Sequence, residues 1–426
     1  MSYFKLKLNL RSGAAGVAAV RRPLIFRPPS ARYVAALLSL CFLLFSVGLT
    51  LGLFDAAEAE KEKSVEEQLS QSVEDELDKL DTDLFQEFVD SLNAEEKNAL
   101  LSSGIKDAIQ MVLSGKMTSP KEFFSQINRA FFKALLGFLP AMLTIVIICV
   151  MKSILSGMTS GFKQQSTIEI VHYVCYSAVV VIAMAEVAGV VGLVVRTVNG
   201  LKNFSSAIFP PLLTLVGALG GVVSAGVYQP LMVVFTSLIL ELITTFIVPI
   251  FLATVVFAAV GSLSKNVKLE KLTALTRTIA EWVLGIVFSV FIAFLTVQGA
   301  VGAAADKVTV NAAKFALSSY VPILGGYLSQ GFDLVYASCV LIKNALGYTG
   351  LTVLLAIVML PIAKLATLLL TMRLTAAVVE PLGEDRISNF MVAVSKNLLL
   401  LITAIVGAAF LFFVLLLIII MSINVL

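Results

Sequence analysis

From residue 131 to the C-terminus the chain is a succession of apolar runs parted by short polar loops, while residues 60–128 carry apolar positions only at intervals of three or four. The first pattern predicts membrane-spanning helices and the second amphipathic ones. In the amphipathic region one stripe is Val65, Leu69, Val73, Leu77, Leu80, Leu84 and Phe88, and a second is Leu101, Ile105, Ile109 and Val112. Ser119-Pro120-Lys121-Glu122 then supplies an N-cap, a proline at the first helical position and a glutamate at N3, the signature of a helix start. The apolar segments that follow are 131–151, 168–195, 204–225, 227–247, 249–263, 280–301, 315–331, 333–346, 348–370 and 397–422.

Several of these segments have only 14 to 17 residues, short of the ~20 needed to span a bilayer upright. The apolar segments contain Pro210-Pro211, Pro249, Pro322 and Gly325-Gly326, so half-helices or re-entrant pairs are expected, with roughly six to ten crossings after the signal. Residues 203–299 and 314–411 align at an offset of 111: Phe204 falls on Phe315, Phe209 on Tyr320, Pro211 on Pro322 and Gly220 on Gly331. After one inserted residue, Val248-Pro249-Ile250 falls on Leu360-Pro361-Ile362 and Val267 on Val379. An even number of crossings per copy makes this a parallel repeat.

Charge adds direction. Residues 1–54 carry seven basic residues and no acid, 55–129 hold 18 acids against 8 bases, and 130–426 hold 10 against 16. The basic flank, the apolar run Tyr33–Phe54 and Ala57-Glu58-Ala59 read as a signal peptide cleaved after Ala59, with an uncleaved anchor as the alternative. Both put residues 60–128 across the membrane and the basic loops around 152–163, 264–278 and 372–395 in the cytosol. The expected organisation is 1–59 basic extension and signal, 60–128 acidic helical extracytoplasmic domain, 129–200 first helix pair, and 201–304 and 305–426 as the two repeat copies. Composition agrees with this all-α polytopic reading. The 426 residues are 58% hydrophobic and 14% charged with a mean hydropathy of +0.96, against about 25% charged in a soluble protein.

Chemistry is sparse. No nucleotide-binding glycine motif, zinc-protease motif or serine-protease constellation occurs, and His172 is the single histidine. An enzyme, a cofactor, a metal site and a nucleic-acid partner are not expected. Cys41, Cys149, Cys175 and Cys339 all lie in apolar runs and read as buried thiols. Paired breaks at Pro210-Pro211 and at Pro322 with Gly325 and Gly326 either line a path through the protein or close a compact bundle. Charges inside apolar segments, Glu186, Glu241, Lys343 and Lys364, are costly there and so are paired or functional. Glu241 and Lys343 join the prolines and glycines as candidate pathway or gating residues.

The order of Trp282, Gly285, Gln298-Gly299, Asp306, Lys314-Phe315, Ser318-Ser319, Pro322, Gly325-Gly326, Asp333, Lys343-Asn344-Ala345, Gly347, Pro361, Glu380-Pro381-Leu382-Gly383 and Asp385-Arg386 resembles the stage III sporulation protein AE family, from about residue 65 onward. The resemblance implies a multi-pass protein of the mother-cell membrane around the forespore. It also implies membership of a complex that, with a forespore-membrane partner, bridges the two membranes and keeps the forespore active. A channel or secretion-like subunit served by a separate cytosolic ATPase is the leading expectation. A stand-alone secondary transporter and a membrane scaffold are the alternatives.

Overall fold

The computed structural model describes residues 71–73, 77, 83–92, 97, 120–159, 165–263, 269–320 and 325–422. The signal region, its cleavage site, the second amphipathic stripe, the Ser119 cap and Pro322 lie outside them. Among the described residues the regular structure is entirely helical. Helix α1 (Asp83–Ser91) is followed by α2 (Pro120–Thr159), α3 (Gln165–Ala218), α4 (Val222–Glu241), a π-helical turn (Leu242–Ile247), α5 (Val248–Leu263), α6 (Glu270–Tyr320), α7 (Gly325–Val379), a 3-10 turn (Glu380–Leu382) and α8 (Asp385–Met421). Among the described residues six stretches are long and apolar enough to cross a membrane: Ile127–Gly157, Glu169–Ala218, Ser224–Leu263, Glu270–Leu295, Leu334–Leu382 and Asp385–Met421. The chain is an α-helical multi-pass membrane protein.

Among the described residues the expected breaks at the prolines do not occur. Helix α3 runs unbroken through Pro210 and Pro211, as α2 does through Pro140 and α7 through Pro361. A proline removes one backbone bond and crowds the preceding turn, at about 3 kcal/mol. In an apolar setting a full break would orphan several amides, so a continuous helix is the cheaper solution. The short segments therefore merge: 168–195 joins the start of 204–225, 227–247 joins 249–263, and 333–346 joins 348–370. The boundaries expected at 200/201 and 304/305 fall inside α3 and α6.

The observed interruption lies ten residues beyond the prolines. Gly220 adopts φ +88°, its amide bonds to Gly217 O at 3.0 Å and the Gly221 amide to Val216 O at 2.9 Å, the two reverse bonds of a Schellman ending. Here glycine is required, because a side chain in the left-handed region is strained. Gly331, its counterpart at offset 111, lies inside α7. Likewise Pro249 follows a π-helical turn whereas Pro361 sits in plain α-helix. The two aligned stretches adopt different backbones at these landmarks.

Helix α8 forms the middle of the bundle, with 67% of its most apolar window buried, against 11% for α2 at the periphery. It approaches its neighbours closely at glycines. A Cβ on Gly407 would collide with the Phe288 ring of α6, and a Cβ on α7 Gly347 with Ile420 of α8. A Cβ on Gly350 of α7 would come within 3.1 Å of Ile208 of α3. Helix α1 turns Phe85, Phe88 and Val89 inward, and Phe88 meets Phe204 of α3 at 5.9 Å between ring centroids. The described part of the acidic segment thus packs on the bundle.

Helix lengths exceed the bilayer. The 54 residues of α3 extend roughly 80 Å at 1.5 Å per residue, against ~30 Å of hydrocarbon. The 51 of α6 and 55 of α7 do the same.

Replacing Gly407 with Val should drive Phe288 from its place and cost about 1–3 kcal/mol, read as a lower thermal midpoint in detergent. Gly285, in the interior of α6 with nothing within 4 Å of its added Cβ, gives the opposite sign: Gly285→Ala should stabilise by up to about 1 kcal/mol through helix propensity.

Candidate functional site

Two polar constellations stand out in this apolar bundle, one at the loop end and one on the hairpin that the Gly220 turn closes. At the loop end, the turn Glu380–Leu382 reverses the chain through Gly383 at φ +79° and sets Glu384 before α8. The Glu384 carbonyl accepts the amides of Ile387 and Ser388, both at 3.0 Å. Its carboxylate forms an ion pair with Lys152 at the end of α2, 232 residues away. Both residues are buried, with exposures of 5% and 8%. Arg386 donates from Nη1 to Leu263 O at 3.0 Å, satisfying a carbonyl at the C-terminus of α5. Tyr176 of α3 donates to Ala259 O at 2.6 Å and packs edge-on against Phe390. The three basic loop regions of the sequence therefore meet at one end of the molecule. The Lys152–Glu384 pair escaped sequence reading because no local pattern links residues so far apart.

The second constellation lies between the last turns of α3 and α4. A groove of about 520 Å³ is lined by Lys202, Ser205, Ser206, Pro210 and Thr214 from α3 and by Gln229, Thr236 and Ser237 from α4, with Phe209, Leu213 and Met232 at its floor. Pro210 has no amide hydrogen, which releases the Ser206 carbonyl from its helical bond. Ser205 and Ser206 both turn their hydroxyls onto Lys202 O, at 2.8 and 3.2 Å, and Thr214 bonds to Pro210 O at 3.0 Å. The Thr236 hydroxyl is buried with no hydrogen-bond partner.

The sequence candidates separate accordingly. Pro210 lines this groove, while Pro211 on the next position is buried. Glu241 is exposed at the junction of α4 with the π-helical turn, four residues past Ser237 and so on the same face. Lys343 belongs to a different place. It is fully buried and donates to the Ser422 carbonyl that ends α8, a cation at the negative end of a helix. Gly325 and Gly326 open α7 as ordinary helical residues. The candidates do not form one path among the described residues. No three His, Cys, Asp or Glu side chains gather there as a metal site would require.

Removing one partner of the buried pair leaves the other charge unpaired, so Lys152→Ala or Glu384→Ala should each cost about 3–5 kcal/mol. Replacing both with Met should cost far less than the sum of the two. Thermal unfolding of the four proteins in detergent measures this coupling, and additive losses would show that the pair contributes nothing.

Comparison with known proteins brings these features under one heading. No solved structure matches the chain. A curated relative, the Stage III sporulation protein AE of Bacillus subtilis (strain 168), is 25% identical over 346 residues, covering 81% of this chain and 87% of its own length. A family model described as Stage III sporulation protein AE matches residues 103–423, a range that takes in α2 to α8 with the ion pair and the groove, and the chain belongs to that family.

Proposed function

We propose that this protein serves endospore formation as a multi-pass subunit of an assembly that links the mother cell to the forespore across their two membranes, keeping the forespore active. The observation that carries the reading is the family match, which extends over all six apolar helices found among the described residues and not over one module. The structure supports a subunit over a stand-alone transporter in two ways. The broken helices that a carrier would use are absent at Pro210-Pro211, where α3 is continuous. Hydrogen-bonding side chains at Ser206, Gln229 and Ser237 face outward among the exposed Val233, Val234 and Leu238, a mixed surface that packs poorly against lipid or water alone. A neighbouring protein can cover it.

With no nucleotide-binding motif in the chain, energy for transport comes from a separate cytosolic ATPase, which docks at the loop end. The basic residues Arg277, Arg373 and Arg386 belong to that end, in accord with a cytosolic placement. The acidic segment, packed through Phe88 on the far part of α3, lies on the opposite side, in the space between the membranes.

Affinity purification of the tagged chain from sporulating cells should recover a cytosolic ATPase and proteins of the intermembrane space. Recovery of the chain alone, with substrate flux in liposomes containing nothing else, would establish the transporter instead. Sidedness has its own check: cysteines placed at Lys268 and Glu380 should react alike with an impermeant thiol reagent added to the cytosolic face, and a reporter fused near Leu101 should require export for activity. Opposite labelling of the two cysteines would overturn the arrangement.

A further inference from the structure

The hairpin made by α3 and α4 carries two charges that the chain itself leaves unmatched. Lys202 and Glu241 are both exposed, and neither takes part in an ion pair among the described residues. Counted from the Gly220 turn, Lys202 lies roughly 24 Å down α3 and Glu241 roughly 29 Å down α4, so the two stand at nearly the same height on neighbouring helices. Between them runs the groove, with Ser205 and Ser206 on the Lys202 side and Thr236 and Ser237 on the Glu241 side.

This groove lies too far from the loop end to be an ordinary lipid-facing surface. From Leu263 at the loop end, one hydrocarbon thickness of ~30 Å is about 20 helical residues, which reaches the level of Glu241. The apolar start of α3, residues 168–195, already exceeds that thickness before Arg196 and Lys202. Residues 203–240 therefore project past the hydrocarbon. Yet Val222, Val227, Val233, Val234 and Leu238 are exposed on this projecting part, as are Gln229 and Ser237. Apolar ridges mixed with small hydroxyl residues make a helix-packing surface, and Thr236 holds a buried hydroxyl without a partner inside it.

We propose that two copies of this chain pair through the α3–α4 groove about a two-fold axis parallel to the helices, with Lys202 of each copy facing Glu241 of the other. The charges select this occupant. All copies share one membrane orientation, so a two-fold axis along the membrane normal preserves height and sets α3 of one copy against α4 of the next. Lys202 then meets Glu241 twice, and Ser205 and Ser206 meet Thr236 and Ser237. A phospholipid headgroup would use Lys202 and be repelled by Glu241. An unrelated helix would need charges of both signs at one level, which this surface already supplies to itself.

The pairing is independent of what the assembly transports and is measured on purified full-length protein in nanodiscs of mixed phosphatidylglycerol and phosphatidylcholine. The wild type should have the mass of two chains. Lys202→Glu and Glu241→Lys should each halve it, because each places like charges together twice, while helicity by circular dichroism stays unchanged. Mixing the two single variants before reconstitution should restore the two-chain mass, since each interface then holds two opposite-charge contacts; neither variant does so alone. A second measurement uses chains freed of native cysteines: Ser206→Cys in one copy should cross-link to Ser237→Cys in another. A single-chain mass for the wild type, an unchanged mass in both single variants, no recovery on mixing, or no cross-link would each overturn the proposal.

Discussion

A backbone amide packed in an apolar bundle or in lipid must find its partner inside its own helix, and the architecture follows from that demand. It explains why α3, α2 and α7 pass through prolines without stopping. One missing bond is tolerated where several orphaned groups would not be. It also explains the behaviour of the hydroxyls. Thr367, Thr371 and Thr375 are buried in α7, and each turns its side chain back onto a carbonyl three or four residues earlier, at 2.7 to 2.9 Å. Where the helix does end inside the assembly, at Gly220, the reverse bonds of the turn take up the loose carbonyls at once.

Much of this was legible in the sequence. Hydropathy alone separates the helical bundle from the acidic segment, and the positions of basic residues assign three loop regions to one side, where Lys152, Leu263, Glu384 and Arg386 do meet. The six apolar helices long enough to cross among the described residues lie within the expected number. What the sequence conceals is where a helix ends. Pro210-Pro211 reads as a break by intrinsic propensity, but propensity is a weak term beside backbone satisfaction in an apolar setting. Gly220-Gly221 falls inside the expected apolar segment 204–225 and turns out to be the reversal, because the left-handed conformation at Gly220 lets α4 fold back on α3.

Charged residues divide in the same way. The rule that an intramembrane charge is paired or functional flags Lys343 and Glu241 equally. Burial separates them: Lys343 is sealed against the end of α8 and holds the fold, whereas Glu241 is presented at the surface. No periodicity encodes that difference, since it depends on which helix lies beside each side chain. The groove is hidden for the same reason. Ser205, Ser206, Thr236 and Ser237 are unremarkable along the chain and become a polar strip only once α3 and α4 lie antiparallel.

The ion pair between Lys152 and Glu384 also imposes an order on biogenesis. Lys152 leaves the ribosome on α2, and its carboxylate partner follows 232 residues later, just ahead of α8. At ~5–20 residues per second, α2 waits on the order of ten seconds or more with an unmatched lysine, held in water at the membrane surface. Closure of the bundle is thus withheld until α8 arrives to occupy its centre.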